Sequence, residues 1–315
     1  MSRPEVLVIG AGVSGLTTAV CLAEAGLSVR VRARLLPKET TSCAAGAIWS
    51  PYLTEDERML GWSERSRQVL EILAAEPDTG VHLVRGLEAA RVPTSVPDWA
   101  TDLADFRVAT DEDLPDGFTC GWWYTAAVLD MPVYLAYLVN RLDDNDVKVE
   151  AGTIDSLDDA ISYAPIAVNC TGIGARDLVP DPDLVPTRGQ LVVVDNPGVG
   201  WFFAEHDESP DPTYFLPQGD HIVLGGSVER GRTDLAPDHR TSLAILDRCA
   251  AIEPVLVRAA VLEHRVGLRP TRSRVRFERV DIGSRHVIHN YGHGGAGVTA
   301  SWGCAYEVLR LIDEI

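Results

Sequence analysis

Lysine is almost missing from this chain. Lys38 and Lys148 are the only two, and arginine supplies the rest of the 28 basic residues. A Schiff-base mechanism therefore has just two candidate nucleophiles, which makes it unattractive. The six cysteines (Cys21, Cys43, Cys120, Cys170, Cys249, Cys304) are scattered and form no C-x-x-C pair. Neither metal-ligand spacing nor a disulfide framework is present, so reduced, mostly buried thiols and no metal are expected. No apolar run reaches eighteen residues, which excludes a membrane-spanning helix. Met1-Ser2-Arg3-Pro4-Glu5 leads straight into strand-like residues with no cleavable signal, and Asp313-Glu314-Ile315 is no peroxisomal tripeptide. A cytoplasmic location is the expectation. Basic residues are outnumbered by 46 acidic ones, giving a net charge of -18. Such a surface repels phosphate backbones and anionic lipid, so nucleic acid and membrane are not expected partners.

What is present is an ordinary globular composition, 46% hydrophobic and 23% charged over 315 residues. A chain of that length buries roughly three quarters of its unfolded surface. Val6-Leu7-Val8-Ile9 is a continuous apolar run, typical of a parallel strand covered on both faces. Gly10-Ala11-Gly12-Val13-Ser14-Gly15 follows, then a helix-forming stretch through Ala25. Gly26 stands where a helix C′ glycine belongs, and Ser28-Val29-Arg30-Val31 resumes as strand. This is one β-α-β unit. A second apolar strand, Pro165 to Cys170, ends in Thr171-Gly172-Ile173-Gly174. Between them lies a Trp- and Pro-containing section, Leu53 to about Asp130. Further β-rich runs are Leu191–Val194, Tyr214–Leu216 and Ile222–Gly226. The chain closes with strand Val287–Asn290, a glycine-rich turn and a helix from about Thr299 to Asp313. The spacing of Val298, Trp302, Ala305, Leu309 and Ile312 predicts a buried face. The pattern is α/β: a doubly wound nucleotide domain returned to several times, with a β-rich domain inserted into it.

A lone G-x-G-x-x-G is weak evidence, but here it follows a strand and opens a helix. Gly10 suits the tight turn, Gly12 the close approach of a pyrophosphate, and Gly15 the packing of helix on strand. The acidic residue expected at the ribose is absent, since the second strand ends Arg32-Ala33-Arg34. An arginine there fits a 2′-phosphate or the phosphates of another dinucleotide, and the first motif alone leaves both open. Asn290-Tyr291-Gly292-His293-Gly294-Gly295-Ala296-Gly297-Val298-Thr299 offers a second glycine-rich helix start. Such an end suits the part of a flavin ring where reduction places negative charge. A glycine loop that merely closes the fold is the plain alternative.

Three further stretches join these: Ala44-Ala45-Gly46-Ala47-Ile48-Trp49-Ser50-Pro51-Tyr52, Val168-Asn169-Cys170-Thr171-Gly172 and Thr187-Arg188-Gly189-Gln190. With Val266-Gly267-Leu268-Arg269-Pro270 and His289–Gly295 they run in order along essentially the whole chain. In these motifs the chain resembles the D-amino-acid oxidase family. The resemblance implies non-covalent FAD and a Rossmann-like doubly wound FAD-binding domain interleaved with a β-rich substrate-binding domain. The first would comprise residues 1–52, 131–185 and 265–315, the second 53–130 and 186–264. It implies oxidation of D-amino acids to imino acids by hydride transfer to FAD, with oxygen reduced to hydrogen peroxide. The imino acid then hydrolyses to a 2-oxo acid and ammonia. Family members are usually dimers, so a homodimer is expected.

The resemblance also assigns residues. Arg269 and the Tyr214 hydroxyl hold the substrate carboxylate, the Gly295 carbonyl accepts from its amine, and Ile48 and Leu216 form apolar walls. FAD falls to Gly10, Gly12, Val13, Ser14, Gly15, Ala33, Arg34, Thr40, Thr41, Ser42, Ala45, Gly46, Val168, Arg269, Gly294, Gly295, Gly297, Val298 and Thr299. Ala33-Arg34 is similar to the fungal branch, which also lacks the ribose acid. His293 reads as a structural or flavin-contacting imidazole, since hydride transfer needs no base. Glu208-Ser209-Pro210-Asp211-Pro212-Thr213 lacks the lid tyrosine of the animal members, which puts lid gating in doubt. D-aspartate oxidases use an extra arginine, whereas Phe202–Thr213 holds Glu205, Asp207, Glu208 and Asp211 and no arginine. Neutral D-amino acids are therefore favoured and basic ones allowed. Three other readings stand beside this one. They are a glycine- or sarcosine-type amine oxidase, an NADP-linked dehydrogenase suggested by Arg32 and Arg34, and a non-catalytic dinucleotide sensor. Sarcosine-type relatives use a lysine near the flavin, and neither Lys38 nor Lys148 sits in a suitable motif.

Overall fold

The computed structural model describes residues 5–51, 56–206, 209 and 211–315. Met1–Pro4, Tyr52, the 52/53 domain boundary, Asp207, Glu208 and Pro210 lie outside the described residues. Strand β1 (Glu5–Ile9), helix α1 (Val13–Glu24) and β2 (Ser28–Ala33) form the expected β-α-β unit. Gly26 ends α1 at a φ of 82°, and the amides of Gly26 and Leu27 bond back to the Ala23 and Leu22 carbonyls. Only glycine adopts that left-handed turn cheaply. Next come α2 (Met59–Leu73), β3 (Val81–Ala90), the short α3 (Asp98–Thr101), β4 (Arg107–Val108) and β5 (Cys120–Leu129). Then follow α4 (Met131–Asp143), β6 (Val149–Ala151), α5 (Leu157–Tyr163), β7 (Ile166–Asn169) and α6 (Ala175–Leu178). Asp130 caps α4 by accepting from the Val133 amide, which places the helix start directly after β5. The β-rich run is β8 (Val185–Asp195), β9 (Phe202–Glu205), β10 (Tyr214–Gln218), β11 (His221–Gly225) and β12 (Glu229–Arg230). Helix α7 (His239–Ile252), β13 (Val261–Ile282), β14 (Arg285–His293) and α8 (Gly297–Asp313) complete the chain.

One sheet runs through the molecule in the order β4-β5-β3-β9-β10-β11-β8-β13-β14-β7-β1-β2-β6, with β12 beside β8. At one end β14, β7, β1, β2 and β6 are parallel, the nucleotide-binding arrangement. In the middle β8, β11, β10 and β9 are antiparallel, and β3, parallel to β9, leads on to β5 and β4 at the other end. The long strand β13 joins the two: Val261–Thr271 pairs with β8 and Thr271–Ile282 with β14. The domain boundary expected at 264/265 therefore falls inside a continuous strand.

Met59–Leu73, within the segment expected in the substrate part, packs on α8, where Gly303 lets the backbones meet. A Cβ there would stand 2.3 Å from the Trp62 Cα and carbonyl oxygen. The buried side of α8 uses Val308, while Leu309 is only half-buried, because α8 is covered by both α1 and α2. That helix also begins at Gly297, two residues before the expected Thr299. The cysteines carry free thiols; Cys43 and Cys120 are half-buried and the other four buried. Among the described residues no helix is long and apolar enough to cross a membrane.

Candidate active site

The nucleotide crevice begins where β1 ends. Gly10 has a φ of 113°, and a Cβ on it would meet the Cys170 carbonyl oxygen at 2.4 Å. A Cβ on Gly15 would come within 2.1 Å of the Gly10 carbonyl oxygen. Both positions must be glycine for the strand-turn-helix to close. Gly12 differs: its hydrogen faces only the Ser42 side chain, whose Oγ accepts from the Val13 amide at 3.0 Å. The next amides of α1, at Ser14 and Gly15, have no acceptor within the helix and point at the crevice. The start of α8 stands alongside, with the Val13 Cγ1 3.9 Å from where a Cβ on Gly297 would be. Two positive helix ends thus converge, a cradle that fits the pyrophosphate of FAD and an electron-rich ring.

Ala33 closes β2, and the Gly152 amide, leaving β6, bonds to its carbonyl at 2.9 Å. Arg32 lies across Gly152 and stacks on Tyr163, 4.9 Å from the ring centroid, with its Nε buried and unpartnered, and Arg34 pairs with Asp177 at 3.0 Å. Val168 lies mid-strand with its side chain fully buried, opposite Val8 on one side and Ile288 on the other, so its backbone bonds are taken by the sheet. Thr299 donates its Oγ to the Ser50 carbonyl at 3.1 Å and accepts from the Ser50 amide at 3.3 Å, while its own amide, in the first turn of α8, has no acceptor within the helix. Thr40 spends its hydroxyl on the Pro37 carbonyl at 2.8 Å and does not line the cavity.

Beside the crevice lies a cavity of about 660 Å³. Arg269, Tyr214, Gly295, Ile48 and Leu216 all line it, as do Thr41, Ala45, Gly46, Gly294 and Val298. Thr41 ties the segment before the Ala44–Tyr52 stretch to the strand carrying Arg269: its Oγ meets the Leu268 carbonyl at 3.2 Å and the Leu268 amide at 3.3 Å. Arg269 lies across Gly189, where a Cβ would stand 2.5–2.6 Å from three guanidinium atoms. Its Nη1 donates to the Ser227 carbonyl at 3.0 Å. Among the described residues no carboxylate pairs with it. A guanidinium kept in a cavity without a paired carboxylate has the charge and the donor fork to receive one from a ligand. The Tyr214 ring covers Gly225 and Gly226, where a Cβ would approach within 1.9 Å of Cζ and 3.0 Å of the hydroxyl. Gly46 passes beneath the ring, with its carbonyl fixed by Gln218 Nε2 at 2.9 Å.

The glycine turn is held from behind. Gly292 and Gly294 have φ values of 87° and 57°, and the Gly294 amide bonds to the Pro270 carbonyl at 2.8 Å. Behind it Tyr291 donates to Asp181 at 2.8 Å and accepts from Arg276 at 2.9 Å, while Arg272 pairs with Asp181 at 3.1 Å. His293 is pushed down to about 4 by burial, against a small upward pull from Asp56, so it is neutral. Its Nε2 sits 3.6 Å from the Cys304 sulfur, which is the place of a structural imidazole. Lys148 pairs with Asp143, and neither lysine lines the cavity.

Sequence reasoning passed over Gly189 as a cradle, although a glycine inside a strand pattern is a signal of close approach. It also missed the carbonyl of Ser227 and the Gln218 clamp, which no local pattern announces. Arg188, one residue before Gly189, is fully buried and ties Glu229 and the Ala236 carbonyl, a purely structural task.

A family profile described as FAD dependent oxidoreductase matches residues 5–311. The chain is 45% identical over 310 residues to the D-amino-acid oxidase of Rubrobacter xylanophilus, covering 98% of this chain and 95% of that protein. It is 45% identical over 312 residues to the D-amino-acid oxidase of Streptomyces coelicolor, covering 98% and 96%. In fold it is similar to the glycine oxidase of Bacillus cereus, with a TM-score of 0.80 at 17% identity over 99% of this chain and 95% of that one.

Proposed function

Since the chain belongs to the FAD dependent oxidoreductase family, we propose that it oxidises D-amino acids to imino acids with oxygen as the final acceptor. The observation that carries this reading is the Arg269 guanidinium, unpaired by any described carboxylate, on the wall of a cavity that adjoins the dinucleotide crevice. FAD, when bound, supplies the hydride acceptor and passes the two electrons to oxygen, giving hydrogen peroxide.

The residues of the chain do the rest. Gly10, Gly12, Gly15 and Ser42 receive the pyrophosphate, with the ends of α1 and α8 adding positive potential. Arg269 takes the substrate carboxylate in a bidentate grip, assisted by the Tyr214 hydroxyl. The Gly295 carbonyl accepts a hydrogen bond from the substrate amine, and Ile48 and Leu216 exclude water around the α-carbon. Three fixed points leave only one enantiomer able to turn its Cα–H toward the cofactor side. The α-hydrogen leaves with its electron pair and the amine gives up a proton, so no side-chain base attacks carbon. The imino acid then hydrolyses in water to a 2-oxo acid and ammonia.

The test is an anaerobic absorbance titration of the flavin-loaded protein with D- and L-methionine, D-alanine, D-aspartate, glycine and sarcosine. Bleaching by the neutral D-forms with no response to the L-forms is the expected result. Reduction by sarcosine or glycine in preference to D-methionine would overturn it.

A further inference from the structure

The cavity is polarised along the sheet. Directly opposed residues run in a row across five strands: Trp122 on β5, Glu88 on β3, Ala204 on β9, Tyr214 on β10 and Gly225 on β11. Opposed residues put their side chains on one face, so Glu88 and Tyr214 look into the same space two strand spacings, about 10 Å, apart. Glu88 is 4% exposed and lines the cavity. The Tyr124 hydroxyl donates to its Oε2 at 2.6 Å, and His206 Nδ1 lies 2.5 Å from its Oε1. These contacts fix the carboxylate and use one acceptor site on each oxygen, leaving further lone pairs for a third donor. Glu205, next along β9 and opposite Ala89, turns its carboxylate to the other face of the sheet, where Arg91 binds it at 2.6 Å and the Thr213 amide at 2.9 Å. The Trp122 indole N–H beside His206 is buried without a partner, with the rings 5.0 Å apart. The opposite wall carries Arg269, Arg230 and Arg272.

Resting on the D-amino-acid oxidase reading above, we propose that Glu88 selects the substrate side chain. The preferred substrates are D-amino acids whose side chain ends in a cation, of lysine, ornithine or arginine type. With the α-carboxylate at Arg269 and Tyr214, a flexible aliphatic stem passes Ile48 and Leu216 and delivers its ammonium or guanidinium to the free lone pairs of Glu88. A neutral stem of equal length fills the same space but leaves a buried carboxylate short of a donor. An acidic side chain meets Glu88 head-on.

Two measurements on the flavin-loaded protein test this. The first compares kcat/KM for D-lysine with that for D-norleucine and for Nε-acetyl-D-lysine. The second compares calorimetric dissociation constants of 6-aminohexanoate and hexanoate, which carry the carboxylate and stem but cannot be oxidised. In the parent protein D-lysine should exceed D-norleucine, and 6-aminohexanoate should bind more tightly than hexanoate, each by about tenfold or more. In Glu88→Gln both ratios should collapse toward one, whatever happens to absolute rates. Parent ratios near one, or ratios unchanged in Glu88→Gln, overturn the assignment of Glu88. If no D-amino acid is oxidised at all, the functional reading itself fails. Should Glu88→Gln lose its flavin, the parent ratios alone still decide.

Discussion

An alanine at position 189 would add a single carbon beneath Arg269. That carbon would sit 2.5 Å from Nη1 and 2.6 Å from Cζ and Nη2. Nonbonded heavy atoms settle at about 3.5–4.0 Å, so the guanidinium has to retreat by about 1 Å. What moves is the end of a flexible side chain, and alanine also restricts the unfolded chain, so stability should change by less than about 1 kcal/mol. Catalysis should be hit far harder, because a clamp displaced by about 1 Å costs on the order of 100-fold in rate, or about 2.7 kcal/mol of barrier. The assay is kcat/KM for D-methionine by peroxide release, beside the melting temperature and the flavin absorbance. Gly61→Ala is the control, since nothing lies within 4 Å of a Cβ there. A Gly189→Ala protein that binds flavin and turns over within about threefold of the parent would refute the reasoning, for the guanidinium position would not matter.

Arg269→Ala should keep its flavin spectrum and lose on the order of 10²–10³-fold in kcat/KM, the worth of two charge-assisted hydrogen bonds; undiminished turnover would remove Arg269 from the substrate. Gly15→Ala drives a Cβ against the backbone oxygen of Gly10, which has nowhere to go. The expected result is a protein that purifies with little flavin and is destabilised by about 1–3 kcal/mol, read from absorbance ratio and urea midpoint. Burial lowers both His289 and His293 to about 4, against 6.5 for the free imidazole. The unfolded chain therefore takes up these protons first, so stability is full above about pH 6.5 and falls as pH drops toward 4. At pH 5 each histidine should cost about 2 kcal/mol. Urea unfolding at pH 7 and pH 5 measures it, and His293→Gln should remove about half of the difference; an unaltered difference would show that His293 is not the group being charged.

The nucleotide half was legible because its rules are local. A strand, three glycines and a helix occupy consecutive positions, and Gly10 and Gly15 are forced by backbone contacts a few residues away or across one neighbouring strand. The clamp is legible only through resemblance, because Arg269 on β13, Tyr214 on β10 and Gly295 after β14 are brought together by strand order. Val168 is assigned to FAD by resemblance alone, and only the structure shows that parallel neighbours on both sides take up its backbone. The place of α2 was hidden for a related reason: its partner Gly303 is some 240 positions away, and a helical glycine carries no mark of what it admits. Glu88 sits in an unremarked strand, and only the row of opposed residues places it across from Tyr214.

The strand Val261–Ile282 belongs to neither half alone. Cutting it would give each fragment a raw edge and would separate the carboxylate receptor from the glycine loop that faces it. Grafting a different specificity onto this scaffold would thus mean keeping that strand and exchanging only the outer strands β3, β5 and β9. The two halves should also melt together, in a single calorimetric peak, like a beam that fails along its whole span.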